Sequence, residues 1–128
     1  MTIAVAFNHS PRGAAALQLA AQEAQLRGDE LCVLNIIAGN DTDPPNDPKV
    51  ERQVAEQLED FPGLRWSLHT ATEAYDTAES LLALAERVNA STLVLGSRIR
   101  RPIGKLILGS VVQQVLYHAQ IPVLVVKA

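Results

Sequence analysis

Thr92-Leu93-Val94-Leu95-Gly96-Ser97-Arg98-Ile99-Arg100-Arg101-Pro102-Ile103-Gly104-Lys105-Leu106-Ile107-Leu108-Gly109-Ser110-Val111-Val112 is the stretch on which the fold turns. Its first four residues make a short, apolar, partly β-branched run of the kind that fills a buried strand, while Val111 to Tyr117 carries a helical pattern. Between them lies a glycine-bounded loop with four cations, Arg98, Arg100, Arg101 and Lys105, and no anion. A loop that leaves the carboxyl end of a parallel strand and enters a helix N-terminus is an anion site. The free backbone N–H groups and the positive end of the helix dipole both point at it. Phosphate is the expected occupant.

The rest of the chain repeats the strand-then-helix order. Ile3 to Phe7 reads as a buried strand, and Asn8-His9 makes the turn. Ser10-Pro11 supplies a hydroxyl N-cap followed by proline at the first helical position, where its missing N–H is of no consequence. The helix runs to Arg27 with a small-residue face (Ala14, Leu17, Ala20, Ala21, Ala24), and Gly28 ends it as a left-handed cap. Leu31 to Ile37 is the second strand. A polar loop follows from Ala38 to Pro48, and Asp47-Pro48 restarts a helix by the same cap-then-proline logic, with Val50, Val54, Leu58 and Phe61 on its apolar face. Pro62-Gly63 breaks the chain. Leu64 to Thr70 alternates as a third strand, polar enough on one face to belong at a sheet edge. Asp76 and Glu79 form a variant capping box, and Ala78, Leu81, Leu82, Ala85 and Val88 line the third helix, with Asn89 as its left-handed terminator. Thr92 to Gly96 is the fourth strand and Pro122 to Val126 the fifth.

Strands alternating with helices of this length predict an α/β, three-layer, doubly wound sandwich over residues 1–128, a single domain with a five-stranded parallel sheet. The first and fourth strands are the most apolar and belong at the centre, which gives the order 3-2-1-4-5. The topological switch then falls between strands 1 and 4, and their following loops, Asn8 to Pro11 and Gly96 to Ser110, flank one crevice.

Composition narrows the partners. The chain has 128 residues, enough to bury roughly two-thirds of its unfolded surface without metal or disulfide staples. A formal charge of −3 argues against a general nucleic-acid binder. Cys32 is the lone cysteine, set in the apolar run Leu31-Cys32-Val33-Leu34, and is expected as an inert core thiol. No apolar run approaches the ~20 residues of a membrane span, and no leader pattern opens the chain, so a cytoplasmic protein without membrane contact is expected.

With both loops placed, the sequence resembles the universal stress protein family along essentially its whole length. Members pair a first strand ending in a Val-Asp-Gly-Ser type turn with a late motif G-x2-G-x9-G-[ST] and a closing Pro-Val-(aliphatic)-Val-Val strand. Here the late part reads Gly96-Ser97-Arg98, then Gly109-Ser110, then Pro122-Val123-Leu124-Val125-Val126. Two positions depart from the pattern: Ile99 stands at the second glycine, and Asn8 and His9 stand at the aspartate and glycine of the first turn. The resemblance implies an adenine nucleotide, ATP or AMP, with Mg accompanying ATP. Asn8, His9, Ser10, Gly96, Arg98, Gly109 and Ser110 would line the site, and the backbone at Ile36 would meet the adenine edge. Arg101 and Lys105 are further phosphate contacts, Arg by a bidentate fork and Lys as a point charge. A nucleotide-free interaction protein of the same fold, its site lost at Asn8 and Ile99, is the alternative.

Other chemistries find little support. Gly104-Lys105 lacks the G-x4-G-K-[ST] spacing of a phosphate-binding P-loop. A phosphoacceptor receiver needs acidic residues where Asn8-His9 and Thr70-Ala71 stand, and a flavodoxin needs a Ser/Thr-rich first loop. The histidines are dispersed. His118 suits a helix C-terminus, His69 is expected on an exposed strand face, and His9 alone reaches the crevice. Asp41, Asp43 and Asp47, interleaved with prolines, read as a solvated turn rather than a metal site. No nucleophile–base set can be assembled around Ser10, Ser97 or Ser110, so no catalytic residue is assigned. The last strand, Val123, Leu124, Val125 and Val126, is apolar on both faces at a sheet edge. Such an edge calls for cover, and the same strand of a second subunit across a two-fold axis supplies it; the resemblance implies the same homodimer.

Overall fold

A computed structural model describes residues 1–8, 10–39, 45–73, 76–97 and 108–127. The elements run β1 (Thr2–Ala6), α1 (Pro11–Arg27), β2 (Glu30–Ile37), α2 (Pro48–Gln57), β3 (Trp66–Thr72), α3 (Thr77–Arg87), β4 (Thr92–Ser97), α4 (Ser110–His118) and β5 (Val123–Lys127). The strands form one sheet in the order β3-β2-β1-β4-β5, every pairing parallel, as the sequence predicts.

Two apolar clusters fill the space on either side of the sheet. Ile3, Val5, Leu31, Val33 and Val94 face α1 and α2, meeting Ala16, Leu17, Ala20, Val50 and Val54. Ala4, Cys32, Leu34, Leu93 and Leu95 face α3 and α4, meeting Leu81, Leu84, Val112 and Val115. This is the alternation of a strand buried on both faces, which is why β1, β2 and β4 read as nearly unbroken apolar runs.

The helix ends follow the capping chemistry. Ser10 Oγ accepts from Gly13 N at 3.3 Å, Asp47 Oδ1 from Lys49 N at 2.9 Å, and Asp76 Oδ1 from Glu79 N at 2.7 Å. Gly28 and Asn89 take left-handed backbone angles, with φ of 70° and 56°, and so stop α1 and α3. Asn46 ties the approach to α2 onto the outer edge of β3: its Nδ2 donates to Leu68 O at 2.8 Å and its Oδ1 accepts from Thr70 Oγ1 at 2.7 Å.

Several local expectations shift. β1 covers Thr2–Ala6 rather than Ile3–Phe7, although Phe7 N still donates to Leu34 O at 2.9 Å. β3 begins at Trp66 rather than Leu64 and extends to Thr72, because its parallel ladder with β2 carries on as far as Ile37. α2 ends at Gln57, so Leu58 and Phe61 pack from the turn after it. Ala14 is only half-buried, and Gly13 and Ala16 fill the α1 face instead. On α3 the expected stripe omits Leu84, which is buried against the sheet, while Leu82 and Val88 lie at its margin. β5 starts at Val123, just past Pro122.

Candidate functional site

The carboxyl ends of β1 and β4 diverge to α1 on one side and α4 on the other, and a cavity of about 310 Å³ opens where they part. That volume lies at the lower end of what small-molecule sites occupy. β1 and the turn after it supply Ala6, Phe7 and Asn8, β2 supplies Leu34 and Ile36, and β4 supplies Leu95, Gly96 and Ser97. The first turns of three helices close the wall: Arg12 and Gly13 of α1, Thr77 of α3, and Gly109 to Val112 at the start of α4. The lining combines apolar side chains with the N-terminal turns of three helices, a combination that favours a ligand with one apolar and one anionic part.

Glycines set the approach of α1. A Cβ on Gly13 would stand 2.3 Å from Asn8 O and 2.6 Å from Asn8 Oδ1. A Cβ on Gly96 would stand 2.2 Å from Arg12 O. Both positions are therefore places where two backbones touch, and Gly96 has a packing reason to be glycine that needs no ligand. Gly109 is different: a Cβ there would meet nothing within 4 Å.

Hydrogen bonds divide the polar groups into those already engaged and those left over. Asn8 Oδ1 accepts from Ser10 N at 3.0 Å and also from Ser10 Oγ. Ser10 Oγ in turn accepts from Gly13 N, so this hydroxyl bridges the first turn to the helix it caps. Thr77 Oγ1 donates to Glu73 Oε1 at 2.9 Å. α4, by contrast, starts at Gly109 with no side-chain cap, and its first intrahelical bond runs from Gln113 N to Gly109 O. The N–H groups of Ser110, Val111 and Val112 thus have no partner within the helix. Ser97 Oγ is the second group left over: the residue is 2% exposed and its hydroxyl has no partner among the described residues. The Ser97 hydroxyl has no accessible surface toward the cavity, whereas the uncapped amides of α4 and the open space at Gly109 fit a bound phosphate.

Of the residues expected from sequence, Asn8, Ile36, Gly96, Gly109 and Ser110 converge on this cavity. Ser10 stands behind the wall as the α1 cap. His9, Arg98, Arg101 and Lys105 lie outside the described residues, as does Ile99. Arg12 and Thr77 join the cavity without having been singled out. For Arg12 a signal existed: a cation in the first turn of a helix opposes the dipole, and such a placement calls for an anion nearby.

Elsewhere, His69 proves half-buried rather than exposed, with Nε2 2.8 Å from Ser67 Oγ. Burial first, and then the charge of Arg87, hold its pKa below 6.5. Burial likewise pushes the Cys32 thiol up from 9.0, against a hydrogen bond to Ser67 that pulls it down, so it stays protonated and unreactive at neutral pH. Asp47 is spent as the α2 cap, while Asp41 and Asp43 lie outside the described residues. Among the described residues no group of three His, Cys, Asp or Glu could hold a metal ion, and no helix is long and apolar enough to cross a membrane.

Comparison with known proteins supplies the family. The model of the universal stress protein family matches residues 1–127. A universal stress protein of Mycolicibacterium smegmatis is 35% identical, with 98% of this chain and 96% of that protein covered. The structure of a universal stress protein from Archaeoglobus fulgidus matches at a TM-score of 0.70 and 28% identity, over 99% of this chain and 98% of the other. Another from Archaeoglobus fulgidus, in complex with dAMP, matches at a TM-score of 0.73 and 25% identity over the same shares.

Proposed function

The chain belongs to the universal stress protein family, and from that premise we propose that it is a stress-response protein that binds an adenine nucleotide, AMP or ATP, in the crevice between β1 and β4. One observation carries the reading. The cavity at the topological switch point is lined by the N-terminus of α4, which no side chain caps and whose Gly109 leaves open space in front of it. Its free N–H groups are donors, and a phosphate offers acceptors to them. The relative from Archaeoglobus fulgidus in complex with dAMP supports an adenine nucleotide as the ligand class.

The chemistry of the wall favours binding over turnover. Its described polar side chains are Asn8, Arg12, Thr77, Ser97 and Ser110, which contain donors and acceptors but no carboxylate or imidazole to act as a general base. The nucleotide would bring its own negative charge to three helix N-termini, and Asn8 Nδ2 adds a donor where a carboxylate would add repulsion toward phosphate. Ile36 and Leu34 offer an apolar surface for the base.

β5 is the second part of the proposal. It pairs with β4 on one side and forms the edge of the sheet, with Leu124 39% exposed. Val123, Leu124, Val125 and Val126 would pair with the same strand of a second subunit, giving a homodimer whose sheet runs through both copies. A cytoplasmic site of action belongs to the same reading.

Titration calorimetry with AMP and with ATP, each with and without Mg, tests the ligand. Measurable heat and a rise in melting temperature are expected. No heat and no stabilisation at millimolar nucleotide would overturn the reading and favour a nucleotide-free interaction protein. Asn8 Oδ1, already engaged by Ser10, is the feature that would then explain the loss.

A further inference from the structure

β3 forms one end of the sheet, and an edge strand leaves a row of backbone groups open to pairing with another chain. The ladder shows which groups these are. Leu31 N donates to Arg65 O and Glu73 N donates to Ile37 O, so the odd-numbered residues of β3 aim their backbone groups at β2. Those of Trp66, Leu68, Thr70 and Thr72 therefore face outward. The middle of that row is covered by a side chain from the approach to α2. Asn46 Nδ2 donates to Leu68 O at 2.8 Å, and Asn46 Oδ1 accepts from Thr70 Oγ1 at 2.7 Å. The amide takes the place that a neighbouring strand would occupy. Pro45 borders the cavity over Ser67 and His69 on the α3 side of the sheet, and also the one over Asn35 and Val50 on the α2 side. The Pro45-Asn46 segment thus crosses the edge from face to face, and a proline has no N–H to offer an incoming strand. Asp47 fixes the far end of the segment by capping α2. β5, at the opposite end of the sheet, is apolar and has no polar tie of this kind among the described residues.

We propose that Asn46 closes the β3 edge against a second copy of this chain, leaving β5 as the edge through which copies meet. With both edges open, paired copies would go on joining end to end, because a contact that does not close on itself builds open assemblies. Asn46 sets where that association stops. The assignment stands apart from the nucleotide reading, since Pro45, Asn46, Leu68 and Thr70 take no part in lining the crevice between β1 and β4.

Sedimentation velocity of the full chain over a range of concentrations, without nucleotide, tests this on the parent, Asn46→Ala, Thr70→Val and Asn46→Ala combined with Ser67→Lys. Thr70→Val keeps the shape of the side chain and removes the hydroxyl that orients the Asn46 amide. Ser67 is exposed on the same strand, and a lysine on an edge strand hinders pairing without needing a bond to the edge. The parent keeps one mass at all concentrations. Asn46→Ala forms species whose mass rises with concentration to about twice the parent's or more, and Thr70→Val moves in the same direction by less. Adding Ser67→Lys to Asn46→Ala returns the mass to that of the parent. Two single variants that both sediment as the parent overturn the proposal. So does association that Ser67→Lys leaves in place, because it would arise from a loosened α2 rather than from the edge of β3. A parent whose own mass grows without limit overturns it as well, since its β3 edge would then be open with Asn46 present.

Discussion

Gly96→Ala is the substitution on which the packing account is most exposed. In the late motif Gly96 and Gly109 look equivalent, both being glycines at the two ends of a phosphate-type loop. Their surroundings differ. At Gly96 a new Cβ would lie 2.2 Å from Arg12 O and 2.7 Å from Arg12 C, atoms of the backbone that no side-chain rotation can move. The oxygen contact is roughly 1.2 Å short of ordinary van der Waals distance, so the first turn of α1 has to lift from β4. Ser10 and Asn8 hold that turn from the other side through hydrogen bonds, which makes lifting costly. Overpacking of this kind costs about 1–3 kcal/mol, and a backbone contact belongs at the upper end. Gly109→Ala meets nothing within 4 Å, and its φ of −64° suits any residue, so its cost is about 1 kcal/mol or less. Urea denaturation of both variants reads the difference as a shift in midpoint at constant slope. Gly96→Ala should lose roughly 2–3 kcal/mol and Gly109→Ala at least 1 kcal/mol less than that. Equal midpoints for Gly96→Ala and the parent would refute the claim that this glycine is required by contact between α1 and β4.

Three further outcomes follow from the same geometry. Ser10→Ala removes both the α1 cap and the bridge to Asn8, and should cost about 1–2 kcal/mol by the same denaturation measurement; less than half of that would mean the cap is not formed in solution. His69 has a folded pKa below its unfolded value of 6.5, so the unfolded chain takes up the proton first as pH falls. Its contribution to stability is complete above that unfolded value and is lost as pH drops from there toward the folded one. His69→Gln should flatten the slope of stability against pH in that window, and an unchanged slope would contradict the shift. Val125→Lys places a charge on the apolar edge strand and should give monomer or aggregate in sedimentation velocity, whereas a variant that sediments as a dimer would count against pairing through β5.

Much of the architecture was legible because its determinants are local. The period of apolar residues, the Ser10-Pro11 and Asp47-Pro48 starts, and the stops at Gly28 and Asn89 are near-neighbour properties, and each appears in the fold where the chain places it. Strand order followed from apolarity, since a central parallel strand must be buried on both faces. Strand limits were less legible. β3 reaches Thr72 through a polar Thr-Ala-Thr segment because β2, distant in sequence, offers it a ladder as far as Ile37. Leu84 was missed because a face defined by one stripe is narrower than the surface a sheet presents to α3.

The site divides along the same line. By itself the sequence determined which strand ends lie side by side, since that depends only on the order of strands and the handedness of their connections. It also pointed to Asn8, Gly96, Gly109 and Ser110 as crevice residues and, through the family resemblance, to Ile36, and all five line the cavity. Only the tertiary structure decided what each does there. Gly96 and Gly13 prove to be points of backbone contact, Asn8 and Ser10 satisfy one another, and Ser97 and Arg12 are left without described partners. The physical reason is range. Periodicity and capping act over three or four residues, whereas a 2.2 Å approach between residues 12 and 96, or the absence of a partner for a buried hydroxyl, depends on how whole layers settle against each other.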